Sequence, residues 1–161
     1  MSKQTFVKWQ IAGYQAYKSA IDQAVRRSQQ AKTEINDSDL IELAHKSVET
    51  MNRHAEILNE YLLDAGVEDE AHDEIMAGIN RGTDLAVSAA EDSQTRDVAL
   101  LFGGKVTLNY FFVAFSNHAA TAAALELSDQ AKTFDQMAQD HQKLFDQYTQ
   151  LGAGRIFPQA I

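Results

Sequence analysis

One segment, Asp97 to Leu127, is the most apolar part of the chain and constrains the fold more than any other feature. Apolar side chains recur along it every three or four residues, which is the spacing of one face of an α-helix. Others, such as Phe102 and Val113, cover the remaining faces, and a helix that is hydrophobic nearly all round is buried. Lys105 and Asn109 interrupt the run, whereas a membrane span needs about 18 successive apolar residues. The segment therefore predicts the central helix of a soluble core, and no membrane is expected as a partner.

Four more helices are predicted around this one, and no strand. The chain has a single proline, Pro158, so long uninterrupted helices are permitted. Three of the helices are long and amphipathic, and the one that follows Glu68 is short, with weak apolar positions. The predicted segments are Lys3 to Lys32, the stretch after the turn Asn36–Asp39 as far as Ala65, a connector that begins with Glu68–Glu70, and Ser128 to Leu151. This pattern predicts an all-α, four-helix bundle with a fifth, shorter connecting helix, as a single domain over 1–161.

Turn signals separate the predicted helices: Glu91–Ser93 is expected to turn the chain into the central helix, and Ser128–Asp129 is expected to cap the last one. Gly66 suits the left-handed end of the second helix, and Gly152 and Gly154 are expected to end the last one. The sequence leaves open whether the tail 153–161 is loose or is held by Ile156 and Phe157. Gly103 and Gly104 stand inside the central helix, where each costs about 1 kcal/mol relative to alanine. That cost indicates close backbone approach by another helix.

Composition excludes several functions. The net charge is -9, which repels phosphate backbones, so no nucleic acid is expected as a partner. The chain has no cysteine, which rules out disulfides and thiolate chemistry and fits a reducing compartment. Its first residues contain no apolar run long enough for a signal peptide, so a cytoplasmic location is expected. The apolar excess of the central helix indicates a buried homodimer interface, although a helix surrounded within a monomer would have the same composition.

Five histidines and 23 acidic residues make metal binding the first chemistry to consider. Glu42 and His45 have the i, i+3 spacing that is used in carboxylate-bridged di-iron bundles, and Glu49 follows one turn later. These three positions flank the apolar face of the second helix rather than lying on it. Acids and histidines also occur together on ordinary solvated helix faces, so a structural role competes with metal binding.

His141 differs because it falls on the apolar face of the last helix. An inward histidine is either a hydrogen-bonded core residue or a ligand, and the first reading is the more common. Its expected partners in a core polar network are Tyr14, Tyr17 and Tyr110, whose hydroxyls need partners when buried. His54 and His118 have no acid at ligand spacing on the same face, and we expect them to be structural or exposed.

A series of short segments, in order from about Leu40 to Leu151, matches a known family. The segments are Glu49–Thr50, Leu62 to Gly66, Met76 to Gly78, Ala90 to Asp92, Arg96 to Leu100 and Lys105–Val106, with a weaker echo at Tyr14 to Lys18. The chain resembles, in these segments, the YciF-like, ferritin-like bacterial family of unknown function associated with stress responses. The resemblance implies a ferritin-like bundle, a dimer and a di-metal site.

The resemblance fails at the residues that would bind metal. After Lys105–Val106 the family has a Glu-His-x-Glu cluster, but this chain has Thr107, Leu108 and Tyr110 there. In the first helix, Tyr17 stands about where the family has a glutamate. A di-iron site needs about four carboxylates and two imidazoles that point inward. We therefore expect a degenerate metal site, packed as core, and no cofactor.

Two functions follow from these observations. The first is a non-catalytic, stress-associated scaffold or binding protein, which includes the possibility of an apolar ligand or partner helix against the central helix. The alternative is a di-iron or manganese oxidase or ferroxidase that uses a rearranged site of Glu42, His45, Glu49 and His141. The missing ligands favour the first, so an enzyme is not expected.

Overall fold

The computed structural model describes residues 2–68 and 71–161, and all regular structure in these ranges is helical. The helices are α1 (Lys3–Glu34), α2 (Ser38–Asp64), α3 (Glu74–Ser88), α4 (Ser93–Ala124) and α5 (Ser128–Leu151), followed by a π-helical turn (Gly152–Ile156) and the short α6 (Phe157–Gln159). The predicted all-α, four-helix bundle with a shorter connecting helix is confirmed.

Two helical hairpins form the bundle. α1 packs along α2 and α4 packs along α5; α1 then lies beside α4, and α2 beside α5. The connector α3 lies outside the four long helices, against α4 and α1. The centre of the bundle is therefore enclosed by α1, α2, α4 and α5, and one flank of α4 carries α3.

Aspartates begin three of the helices because a short carboxylate can accept the free amides of a first turn. Asp37 accepts hydrogen bonds from the amides of Asp39 and Leu40, and Asp73 accepts one from the amide of Met76. Asp92 and Thr95 form a reciprocal capping box at the start of α4. The predicted turns before α2 and α4 therefore lie where the sequence placed them.

Three predicted helix ends need correction. α3 begins at Glu74 rather than at Glu68–Glu70, of which Asp69 and Glu70 lie outside the described residues. The residue before α5 is Leu127, which makes no side-chain cap, so Ser128 lies inside the helix. Gly152 keeps a right-handed helical conformation, with φ -57°, and the chain continues into the π-helical turn.

The tail is attached to the turn between α1 and α2. The side chain of Ile156 is buried, and the guanidinium Nε of Arg155 lies 2.8 Å from the buried Asp37 carboxylate. Arg155 also pairs with Asp39 at 2.5 Å. The side chain of Phe157, in the same segment, is half exposed.

α4 is less enclosed than its composition predicts. Phe102 and Val113 are 61% and 56% exposed, although Leu101, Phe111 and Phe115 are buried. By length and composition alone α4 is also the one helix among the described residues that could cross a membrane, and half of its most apolar window is buried in the bundle. One flank of α4 therefore presents apolar side chains outward.

Candidate functional site

The centre of the bundle holds two buried histidines from facing helices. His54 of α2 and His141 of α5 are 2% and 0% exposed, and His54 Nδ1 lies 3.1 Å from His141 Nε2. The second nitrogen of His54, Nε2, lies 3.2 Å from Oδ2 of Asp140, which is partly exposed on α5. A polar chain thus runs from the surface carboxylate through His54 to His141.

Hydrogen-bond chemistry fixes the direction of this chain. A carboxylate only accepts, so Nε2 of His54 carries the proton and Nδ1 of neutral His54 accepts from Nε2–H of His141. Nδ1 of His141 then has no proton, and it is buried with no hydrogen-bond partner among the described residues. Burial lowers the pKa of His54, against the opposing effect of Asp140, and it lowers the pKa of His141 to well below the usual range.

Aromatic rings surround the pair. The ring centroids of Phe111 and Phe115 on α4 lie 5.0 and 5.5 Å from that of His141, and Phe115 also contacts His54 edge-on at 5.7 Å. Both phenylalanines are fully buried. The rings that pack against the imidazoles are therefore hydrocarbon, and this burial favours the neutral form of both histidines.

His118 of α4 forms a second buried polar contact, between α1 and α4. Its Nε2 donates to the backbone carbonyl of Gln10 at 3.2 Å, and its ring packs edge-on against Tyr17 at 4.7 Å. Gly13 makes room for it, since a Cβ there would overlap the imidazole. Burial lowers the pKa of His118.

The tyrosines expected to partner His141 have other neighbours. The hydroxyl of Tyr14 donates to Gln130 Oε1 at 2.7 Å, and that of Tyr110 donates to Asp73 Oδ2 at 2.6 Å. Burial raises the pKa of Tyr17 to about 12, with a smaller contribution from the Asp73 charge. Burial and the bond to Asp73 raise the pKa of Tyr110 further. The hydroxyls of Tyr14 and Tyr110 therefore bond to residues other than His141, while the rings of Tyr14 and Tyr17 contact His118 and Tyr17 also contacts Tyr110 edge-on.

The candidate metal residues on α2 lie apart from the core. Glu42, His45 and Glu49 are exposed on the outer face of the helix, whereas His141 is fully buried. Glu42 pairs with Lys46 at 2.7 Å, and its pKa is lowered by that hydrogen bond and charge. The structure does not bring these four residues together, because Glu42, His45 and Glu49 lie on the solvent side of α2 and His141 lies in the core on α5.

The donor set at the bundle centre does not fit a di-metal site. Such sites take a Glu-x-x-His pair from each of two helices and a glutamate from each of the other two. His54 and His141 stand on facing helices, but the residues three positions before them are Met51 and Ala138, both buried. Phe111 and Phe115 face the pair from α4. No group of three metal-binding side chains exists among the described residues, so two cations would lack the carboxylates that neutralise their charge.

The burial of His54 and His118 could have been predicted from their spacing to apolar residues in the sequence. His54 lies three residues after Met51 and four before Leu58, and both of these are buried. His118 is three residues after Phe115 and four before Ala122, which are buried likewise. Each histidine therefore shares the apolar face of its helix, and of the two expected alternatives, structural or exposed, the structure shows the structural one.

Comparison with known proteins shows which solved structures have a similar fold. Neither a protein-family profile nor a curated protein sequence matches the chain. A solved structure titled YcfI, a putative structural protein from Rhodopseudomonas palustris, superimposes with TM-score 0.84 at 13% identity, covering 92% of this chain and 94% of that one. The E. coli stress protein YciF superimposes with TM-score 0.83 at 16% identity, covering 91% of this chain and 93% of that one. The resemblance to YciF-like proteins indicated by the sequence is thus confirmed, and at these identities the likeness establishes the fold.

Proposed function

We propose that this protein is a non-catalytic, stress-associated scaffold or binding protein, built on a ferritin-like bundle whose di-metal site has degenerated into packed core. One observation supports this most directly: the two imidazoles remain on facing helices, but Met51 and Ala138 occupy the positions from which glutamates would reach a metal. The stress association rests on the likeness to YciF.

The physical argument concerns charge. Two divalent cations in a dry interior need roughly four carboxylates to offset the cost of leaving water. The His54–His141 pair offers only neutral nitrogens, and the nearest acid, Asp140, already accepts a hydrogen bond from His54 and another from Gln136. The same hydrogen bonds, with the surrounding rings, give the pair a structural role in holding α2 against α5.

Metal analysis tests this proposal. Untagged protein is incubated with excess Fe(II) under anaerobic conditions, or with Mn(II), freed of unbound metal and measured by elemental mass spectrometry. We expect far less than one ion per chain, and no oxygen uptake when iron-treated protein is exposed to air. About two ions per chain, with occupancy abolished by His141→Ala, would overturn the proposal.

Two variants locate any metal that does bind. Loss of the metal in both His45→Gln and His141→Gln would support the alternative oxidase or ferroxidase, whereas loss in His45→Gln alone would place the metal on the outer face of α2. A Met51→Glu variant restores one Glu-x-x-His pair and serves as the positive control. This variant is expected to retain more metal than the wild type, because it supplies one of the carboxylates whose absence, we propose, prevents metal binding.

A further inference from the structure

A small cavity lies where α1, α3 and α4 meet, with side chains of α2 and α5 behind it. Its volume is about 40 Å³, whereas one water molecule needs about 10–15 Å³. The cavity therefore has room for about three water molecules, or for one molecule of about three or four non-hydrogen atoms. Neither His54 nor His141 lines it, so it is separate from the histidine pair at the bundle centre. We call it the Arg27 cavity.

Arg27 of α1 lines this cavity and supplies a hydrogen-bond donor that the fold leaves unused. Its side chain is only 10% exposed, and Nη1 is buried without a hydrogen-bond partner among the described residues. A guanidinium in a protein keeps its charge and its N–H groups, so Nη1 remains a donor at any ordinary pH. A buried donor without an acceptor is unfavourable. An acceptor atom held in the cavity would satisfy it.

Two carboxylates hold the rest of the guanidinium in place. Nη2 donates to Oε2 of Glu34 at 3.1 Å, and Nε lies 2.7 Å from Oδ1 of Asp84 on α3. Because these ion pairs already fix the side chain of Arg27, little further ordering is needed when Nη1 binds an acceptor. One guanidinium beside two carboxylates also leaves a net negative charge, which repels another anion. The charges at the cavity therefore favour a neutral ligand.

Hydroxyl groups complete the polar part of the cavity wall. Ser28 and Thr107 line it and are partly exposed, and neither hydroxyl has a hydrogen-bond partner within residues 2–68 and 71–161. The buried hydroxyl of Tyr148 lies 3.4 Å from Oγ of Ser47, which is longer than the usual O–H···O distance of about 2.5–3.0 Å. A ligand in the cavity thus meets several groups that can donate or accept a hydrogen bond.

The remaining wall is hydrocarbon. It is formed by buried aliphatic side chains of α1, α2, α4 and the turn between α1 and α2: Ala24, Ile35, Leu40, Ala44 and Leu100. Water gains little from contact with such a wall, whereas an aliphatic group is stabilised there by leaving water. Sites for small molecules typically combine apolar walls with a few fixed polar groups, and the Arg27 cavity has this composition.

We propose that the Arg27 cavity binds a small neutral molecule that has one carbonyl or hydroxyl oxygen and a short aliphatic group, such as an amide or alcohol of about four non-hydrogen atoms. The oxygen accepts a hydrogen bond from Nη1 of Arg27, and the aliphatic group packs against Leu40 and Leu100. This proposal is independent of the proposed function, because metal content and occupation of the cavity are measured separately.

Acetamide and acetate test the charge argument, because the two molecules have nearly the same shape and differ in charge. Each is titrated at constant ionic strength into isotope-labelled protein, and the backbone amide shifts are followed by NMR. We expect acetamide to cause saturable shifts at Ser28, Asn80 and Thr107, which line the cavity, with a Kd in the millimolar range. Acetate should bind at least about 10-fold more weakly. Acetamide should also slow the hydrogen exchange of the Arg27 Nη1 protons.

Two variants remove the site in different ways. Ala31 lines the cavity, so Ala31→Leu fills it without changing a charge, and Arg27→Met removes the donor. Each should weaken acetamide binding at least about 10-fold. The matched controls are Ala123→Leu and Arg26→Met, at exposed positions outside the cavity, and both should bind acetamide as the wild type does. Circular dichroism checks folding, and Ala31→Leu keeps the test valid if Arg27→Met is unfolded.

Three results would overturn the proposal. The first is the absence of saturable shifts with acetamide, because water would then be the only occupant of the cavity. The second is acetate binding that is as tight as acetamide binding, since the ligand would then be an anion. The third is acetamide binding that Ala31→Leu leaves unchanged, which would place the acetamide elsewhere on the protein.

Discussion

His54 Nδ1 lies 3.1 Å from His141 Nε2, and this single contact joins α2 to α5 at the centre of the bundle. It is lost when both rings are protonated, because two imidazolium groups would each donate and repel. Burial lowers the pKa of both histidines, which keeps the pair out of that state near neutral pH.

This relationship predicts destabilisation by mild acid. The pKa of His54, His118 and His141 is lower in the folded chain than the usual 6.5, so protons bind preferentially to the unfolded chain. The stability is complete above about pH 7 and falls as the pH drops below 6.5, by up to about 1.4 kcal/mol per pH unit for each proton taken up on unfolding. Urea denaturation between about pH 8 and pH 5 measures this slope.

A matched pair of substitutions tests whether a buried histidine causes the loss of stability in acid. His141→Gln should reduce the slope by about one proton, whereas His72→Gln, at an exposed position, should leave it unchanged. A free energy of unfolding that is constant across this range would show that the buried imidazoles do not control acid stability.

Gly13→Ala should destabilise the contact between α1 and α4. The added methyl group overlaps the imidazole of His118, whose ring is fixed by Gln10 and by Tyr17. Overpacking of this kind costs about 1–3 kcal/mol, more than the gain in helix propensity. The control is Gly154→Ala, where a Cβ meets nothing within 4 Å and stability should not fall. Equal thermal midpoints for the two variants would contradict the prediction.

Asp97→Ala should loosen the turn between α1 and α2. The buried carboxylate of Asp97 accepts the amides of Asn36 at 2.8 Å and Asp37 at 2.9 Å. Its removal leaves the buried amide of Asp37 without a partner, at about 1–3 kcal/mol, and frees the amide of the exposed Asn36 at a smaller cost. Hydrogen exchange of these two amides should accelerate with the loss of stability. Asp129→Ala, at an exposed position in α5, should change stability by less than about 1 kcal/mol.

Tyr110→Phe should weaken the attachment of α3. Its hydroxyl donates at 2.6 Å to Asp73, and the same carboxylate caps α3 through the amide of Met76. A hydrogen bond to a charged acceptor contributes about 1.5–3 kcal/mol. Tyr148→Phe is the comparison, because that hydroxyl contacts Ser47 only at 3.4 Å and its loss should cost less. An equal loss of stability in the two variants would refute the role assigned to the Asp73 contact.

Several features could be predicted because they depend on local patterns. The four long helices follow from apolar residues spaced by three and four, and the turns at Asp37 and Asp92 follow from the capping chemistry of aspartate. The cost of Gly103 and Gly104 correctly indicated close approach. The groups that approach them are, however, the side chains of Thr83 and Tyr148 rather than a bare backbone.

The partners of the buried polar groups could not be predicted in this way. Tyr14 and Tyr110 were expected beside His141, but they bond to Gln130 and Asp73 from other directions. A shift of one position rotates a side chain by about 100° around its helix, so a small error in the assigned face changes every predicted neighbour.

The sequence alone determined that this chain is helical and where its long helices lie. Tertiary structure decided that His54, rather than a tyrosine, faces His141. It also decided that the space beside Gly78 and Gly82 is largely open, whereas side chains of neighbouring helices occupy the space beside Gly13 and Gly103. Helix formation depends on residues a few positions apart, which the sequence records directly. Contacts between helices depend on how the helices cross and rotate, which is fixed only when the whole core is packed.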